Sequence, residues 1–63
     1  MSIGENIRKI RVKRGMTQME LAKSIGVSEP YINRVENGRT FPSSRLLPDL
    51  ARALQCSIID FYQ

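Results

Sequence analysis

Apolar residues recur at helical spacing between breaks at Gly15, Gly26, Gly38 and around Pro42, and no strand is predicted. In the first segment Ile3, Ile7, Ile10 and Arg14 fall on one helix face. Ser2 with Glu5 forms a capping-box pattern, and Gly15 sits where a left-handed residue commonly ends a helix. The next segment repeats the signature. Thr17 and Glu20 box its start, Leu21, Ala22 and Ile25 supply the buried stripe, and Gly26 stops it. A third helix follows after a tight turn. Ser28 is its N-cap, and Pro30 falls in the first turn, where its missing N–H leaves no bond unmade. Ile32 and Val35 face inward, and Asn37-Gly38 closes the helix. A loop from Arg39 to Ser43 leads to a fourth helix carrying Leu46, Leu47, Leu50, Ala51 and Leu54. Pro48 requires its regular part to start near Leu46. Ser57 caps a last short turn, Ile58 to Tyr62, assisted by Asp60. The prediction is an all-α chain of five helices forming one domain over residues 1–63. Helices this short are unstable alone and must be held by packing.

Composition narrows the chemistry. A chain of 63 residues buries a thin core with no room for a deep substrate cavity. Histidine is absent and Cys56 is the sole cysteine, which removes imidazole metal sites, zinc clusters, histidine-assisted nucleophiles and an internal disulfide. With no phosphate-cradling glycine loop either, an enzyme is not expected, nor any cofactor, metal or small-molecule effector. Cys56 reads as a half-buried core thiol, because no cation lies near it in sequence. Ten Lys and Arg against six Asp and Glu give a net charge of +4, which raises nucleic acid to the leading partner class. Five of those cations, Arg8, Lys9, Arg11, Lys13 and Arg14, crowd the first helix. They fit either a solvated helix end or phosphate contacts. No apolar run is long enough for a membrane span and the first residues lack a secretory core, so the expected location is cytoplasmic, on the nucleoid when bound to DNA.

The second and third helices, joined by a short glycine-containing turn, form a helix-turn-helix pattern. Ala22 is small enough for the next helix to cross close above it, and Gly26 permits the positive φ of the turn. Val27, Ile32 and Val35 pin the second of the pair so that its opposite face stands clear. An exposed helix face of this width fits the DNA major groove.

The run Thr17-Gln18-x-Glu20-Leu21-Ala22, Gly26-Val27-Ser28-x-x-Tyr31-Ile32-x-x-Val35-Glu36-Asn37-Gly38-Arg39, Pro42-Ser43 and Leu50-Ala51-x-Ala53-Leu54 resembles the phage-repressor-like helix-turn-helix family of Cro and xenobiotic-response-element type. The resemblance spans Ile3 to Phe61. It implies a compact lambda-repressor-like domain with helices 2 and 3 as the DNA-reading unit. The implied function is a sequence-specific double-stranded DNA-binding transcriptional regulator, expected to be a repressor. It would place Ser28–Glu36 in the major groove as a homodimer on a near-palindromic operator. By the same resemblance Ser28, Glu29, Pro30, Asn33 and Arg34 match base-facing positions. Gln18, Asn37, Arg39 and Arg45 match positions near the phosphate backbone, and Arg11 and Glu36 match an internal salt bridge. Two departures are local: Gln55 stands where that family usually has glycine, and Pro30 makes the start of the reading helix unusual. Tyr31 fits either packing or the interface, and Tyr62 fits a dimer seam. The alternative is an antitoxin-like or other protein-interaction module of the same fold, whose main partner is a protein.

Overall fold

The computed structural model describes residues 2–63, and three of their four α-helices begin where the sequence offers a side-chain cap. Helix α1 runs Ile3–Lys13, α2 Gln18–Ile25, α3 Glu29–Glu36 and α4 Leu46–Ala53. Ser2, Thr17 and Ser28 accept at their hydroxyls from the backbone N–H three residues on. Glu5 and Glu20 return the bond to the Ser2 and Thr17 N–H groups. The bond from the Ser2 N–H holds the Glu5 carboxyl below its ordinary pKa. Pro48 sits in the first turn of α4, as its missing N–H requires.

The fifth predicted helix is corrected: Ile58–Tyr62 forms a single 3-10 turn, so the described residues form four α-helices and one 3-10 segment. The predicted cap is in place, since Ser57 Oγ accepts from Ile59 N and Asp60 accepts from Ser57 N. Five residues are too few to build a ladder of i→i+4 bonds, and the tighter i→i+3 pattern suits a segment this short.

The C-terminal ends of all four helices close with the same pair of bonds. After α1, Met16 N donates to Arg11 O and Gly15 N to Val12 O, and the pattern recurs with Val27 to Ala22, Arg39 to Arg34 and Cys56 to Ala51. The residue at the turning point is left-handed each time: Gly15, Gly26, Gly38 and, after α4, Gln55 at φ 56°. Arg14 compensates in part, its Nε donating to Leu54 O at 2.7 Å and its Nη2 to Gln55 O at 3.2 Å. A Cβ in this conformation still costs about 1 kcal/mol or more. Gln55→Gly is therefore expected to stabilise the domain by about 0.5–1 kcal/mol, a gain of several degrees in melting temperature. Thermal unfolding followed by circular dichroism checks it.

The core gathers Ile7 from α1, Leu21 and Ala22 from α2, Ile32 and Val35 from α3, Leu47, Leu50, Ala51 and Leu54 around α4, and Phe61. Among the described residues, every buried side-chain nitrogen or oxygen has a hydrogen-bond partner. Asn6 is one of them: it lies within the stripe set by Ile3, Ile7 and Ile10, and its Nδ2 donates to Phe61 O at 2.8 Å, tying the 3-10 turn to α1. Cys56 is half-buried beside Arg14 and Asp60. Burial and the Asp60 carboxylate push its thiol pKa up, against a smaller opposing pull from Arg14. A thiol so placed stays protonated at neutral pH, unlike a reactive one. Among the described residues no helix is long and apolar enough to cross a membrane.

Candidate nucleic-acid interface

Helix α3 is two-sided. Ile32 and Val35 are buried in the core, and Glu36 is buried as well. Ser28, Glu29, Pro30, Asn33 and Arg34 are all exposed. The inner face is anchored mainly on α2, across the Gly26 turn, and on α1. Glu29, Pro30, Asn33 and Arg34 line one shallow groove together with Gln18 at the start of α2. Ser28 stands at the N-terminus of α3, where its hydroxyl oxygen is occupied by capping while its O–H remains able to donate.

A buried ion pair holds this unit from behind. Arg11 Nε donates to Glu36 Oε2 at 2.6 Å and Arg11 Nη2 to Glu36 Oε1 at 3.1 Å, a bidentate fork. Arg11 Nη1 also donates to Met16 O at 2.7 Å. The pair joins the body of α1 to the end of α3. It commits Arg11 to the interior, while Arg8, Lys9, Lys13 and Arg14 remain on the surface. Arg14 spends its guanidinium on the carbonyls that end α4.

Gln18 is half-buried and donates from Nε2 to Glu36 Oε1 at 3.0 Å. Its own Oε1 accepts from Asn33 Nδ2 at 3.4 Å. Asn37 Nδ2 donates to Asn33 O at 2.9 Å and to Asn33 Oδ1 at 3.2 Å. Arg34 and Tyr31 form a further pair, the guanidinium carbon 5.9 Å from the ring centroid, within reach of a cation–π attraction. Tyr31 packs its half-buried ring against the core, as the packing reading expects, and presents a platform to Arg34. Spacing carried the signal for this pair, since residues three apart are neighbours on a helix.

Arg39 is exposed on the loop after α3, beside a second groove that also touches Gly4 and Phe41. Arg45 is exposed immediately before α4 and lines neither groove. The structure therefore unites the five groove residues and links Asn37 to them, but sets Arg39 and Arg45 apart. Phe41, at 64% exposure, is the unpredicted feature of that loop. Among the described residues no cluster of His, Cys, Asp or Glu is placed to hold a metal ion.

Two short helices locked across a left-handed glycine, with one polar face turned outward on an all-helical scaffold, are a helix-turn-helix. Residues 7–61 match the helix-turn-helix family. The chain belongs to that family, in its Cro/C1-type branch of DNA-binding transcriptional regulators. An uncharacterized HTH-type transcriptional regulator of Archaeoglobus fulgidus is 45% identical over 89% of this chain and 80% of its own length. Antitoxin PezA of Streptococcus pneumoniae is 33% identical over 92% of this chain, which spans only 37% of that relative. The P22 c2 repressor, solved in complex with a synthetic operator, superposes with a TM-score of 0.91 at 38% identity, covering 97% of this chain and 92% of the repressor chain.

Proposed function

We propose that this chain is a sequence-specific repressor that binds duplex DNA as a homodimer, laying α3 in the major groove of each half of a near-palindromic operator. The observation that carries the reading is the outer face of α3, where Glu29, Pro30, Asn33 and Arg34 are exposed over a fully buried inner face. The likeness to an operator-bound repressor supports it. Arg34 suits bidentate pairing with guanine, Asn33 pairing with adenine, and Glu29 a hydrogen bond from cytosine. Glu29 also repels phosphate, so it discriminates more than it attracts. Gln18, at the N-terminus of α2, and Arg39, Arg45 and Asn37 after the reading helix supply backbone contacts. One module of this size covers little DNA, roughly 600–1,000 Å², which favours two copies on half-sites about 34 Å apart.

Two substitutions test the division of labour. Arg34→Ala is expected to cost about 1–3 kcal/mol on the best duplex selected from a random pool and to relax choice at one base pair. Arg39→Ala is expected to weaken all sequences alike and to lower the salt slope by about one. Titrations at several salt concentrations separate the two. Equal losses for Arg34→Ala on selected and random duplexes would remove the base-reading role.

The antitoxin relative favours a second reading, in which the main partner is a protein. A tight complex in a size-exclusion assay, combined with DNA binding that prefers no sequence, would select it.

A further inference from the structure

We propose that Tyr31 determines specificity through Arg34: its ring holds the guanidinium on the flank of the α3 groove with every N–H donor free, and so aims Arg34 at a base edge instead of a phosphate. The inference rests on the DNA reading above and adds to it what directs one of its contacts.

The ring is fixed first. Ser28 Oγ caps α3 by accepting from Tyr31 N, which places Tyr31 in the first turn, and its half-buried ring packs against the core. Arg34 follows three residues later and is exposed. Side chains on a helix lean toward its N-terminus, so Arg34 lies back over the turn that Tyr31 occupies. The guanidinium carbon stands 5.9 Å from the ring centroid, within reach of a cation–π attraction. Arg34 also lines the groove shared with Gln18, Glu29, Pro30 and Asn33, whereas Tyr31 does not. The ring therefore supports the cation from the flank and stays outside the groove itself.

The kind of partner decides what Arg34 can still do. A carboxylate would neutralise it and occupy two of its donors. An aromatic ring attracts the cation through its face and takes none of the five N–H groups. Among the described residues the Tyr31 ring is the only side chain that engages the Arg34 guanidinium. Arg34 is thus steadied without being satisfied. Guanine offers O6 and N7 as paired acceptors in the major groove, and a bidentate fork needs a guanidinium held in one attitude. Without the platform Arg34 keeps its charge and its full rotamer freedom, and its readiest anion is a phosphate, which carries no sequence information. Order present before docking lowers the freedom lost on binding, and the contact strengthens when a duplex excludes water from it.

The test compares the unmodified chain with Tyr31→Phe, Tyr31→Leu, Arg34→Ala and the Tyr31→Leu/Arg34→Ala double variant, with Tyr31→Met as a second ring-free side chain. Circular dichroism establishes that each is folded. Each is titrated at fixed salt onto the best duplex that the unmodified chain recovers from a random pool, and onto its single-base variants. Tyr31→Leu is expected to reduce discrimination about two- to fivefold, the worth of an exposed cation–π contact, at the base pair whose choice Arg34→Ala relaxes. Discrimination at the other pairs stays unchanged. Tyr31→Phe keeps the unmodified pattern, because the ring face acts and not the hydroxyl, and the double variant falls no further than Arg34→Ala. A Tyr31→Leu loss spread evenly over all base pairs overturns the proposal. So do additive losses, and so does a Tyr31→Phe loss equal to that of Tyr31→Leu. A readout without DNA accompanies these titrations. In the free protein the Arg34 Cδ protons should resonate upfield under the ring current of Tyr31, keep that shift in Tyr31→Phe and lose it in Tyr31→Leu. Unshifted Arg34 protons in the unmodified chain overturn the platform. A chain that recovers no preferred duplex defeats the DNA reading instead, and the free-protein signals still decide the platform.

Discussion

Glu36→Ala is expected to destabilise the domain by about 3–5 kcal/mol, the usual consequence of stranding one half of a buried ion pair. Small natural domains have total stabilities near the low end of about 5–15 kcal/mol, so the variant should keep only about 0–2 kcal/mol and unfold on mild heating. The magnitude follows from what is left behind. Arg11 is only 8% exposed and would keep a single bond, to Met16 O, for a guanidinium that now makes three. Gln18 Nε2 would lose its acceptor too. The pair need not be strongly stabilising for this to hold, because separating it costs more than removing it whole. Arg11→Met combined with Glu36→Leu should accordingly be less damaging than either Arg11→Met or Glu36→Leu alone. Urea unfolding of the unmodified chain, both single variants and the double variant measures the coupling. Losses that simply add would show that the two charges act independently. Burial also predicts that the Glu36→Ala deficit changes little between low and high salt, since screening acts on exposed charges.

What was legible in the sequence was local. The boxes Ser2/Glu5 and Thr17/Glu20 and the cap at Ser57 each join residues within one turn, and the bonds that define them form when the segment is helical. The face of α3 was legible for the same reason: with Ile32 and Val35 inward, a 3.6-residue period leaves Asn33 and Arg34 outward. Position along the chain did not reveal what depends on where helices cross. Cys56 has no cation nearby in sequence, yet α1 delivers Arg14 to its side. The role of Asn6 was equally hidden, since the carbonyl it bonds lies 55 residues away. The bond from Asn33 to Gln18 spans the turn, 15 residues apart, and links two side chains whose separate roles the family pattern already implied. The 3-10 character of the last turn was hidden because a cap specifies where a turn starts and says nothing of its pitch.

Gly4 is the position where packing geometry and helix propensity conflict most sharply, and Gly4→Ala should settle which dominates. Within α1 a glycine is unfavourable, and alanine there would gain about 0.5–1 kcal/mol on propensity alone. The space says otherwise. A Cβ on Gly4 would stand 2.9 Å from Glu36 O and closer still to Val35 O, both backbone atoms of α3. Neither carbonyl can rotate aside as a side-chain tip would, so α1 and α3 must separate, loosening the packing around Ile7 and pulling on the Arg11–Glu36 fork. Overpacking of this kind costs about 1–3 kcal/mol and sometimes more, which outweighs the propensity gain. A net loss of about 2 kcal/mol would lower the melting temperature of so short a chain by roughly 10 °C. Gly4→Val, with more bulk and no better helix propensity, should lose more. Gly15→Ala is the contrasting case: nothing lies within 4 Å of its Cβ position, but φ is +74°, so the cost there is conformational and about 1 kcal/mol. Melting curves for the three variants rank the two mechanisms. A Gly4→Ala protein as stable as the original would mean that α1 can move away from α3 at no cost, contrary to a crossing this close.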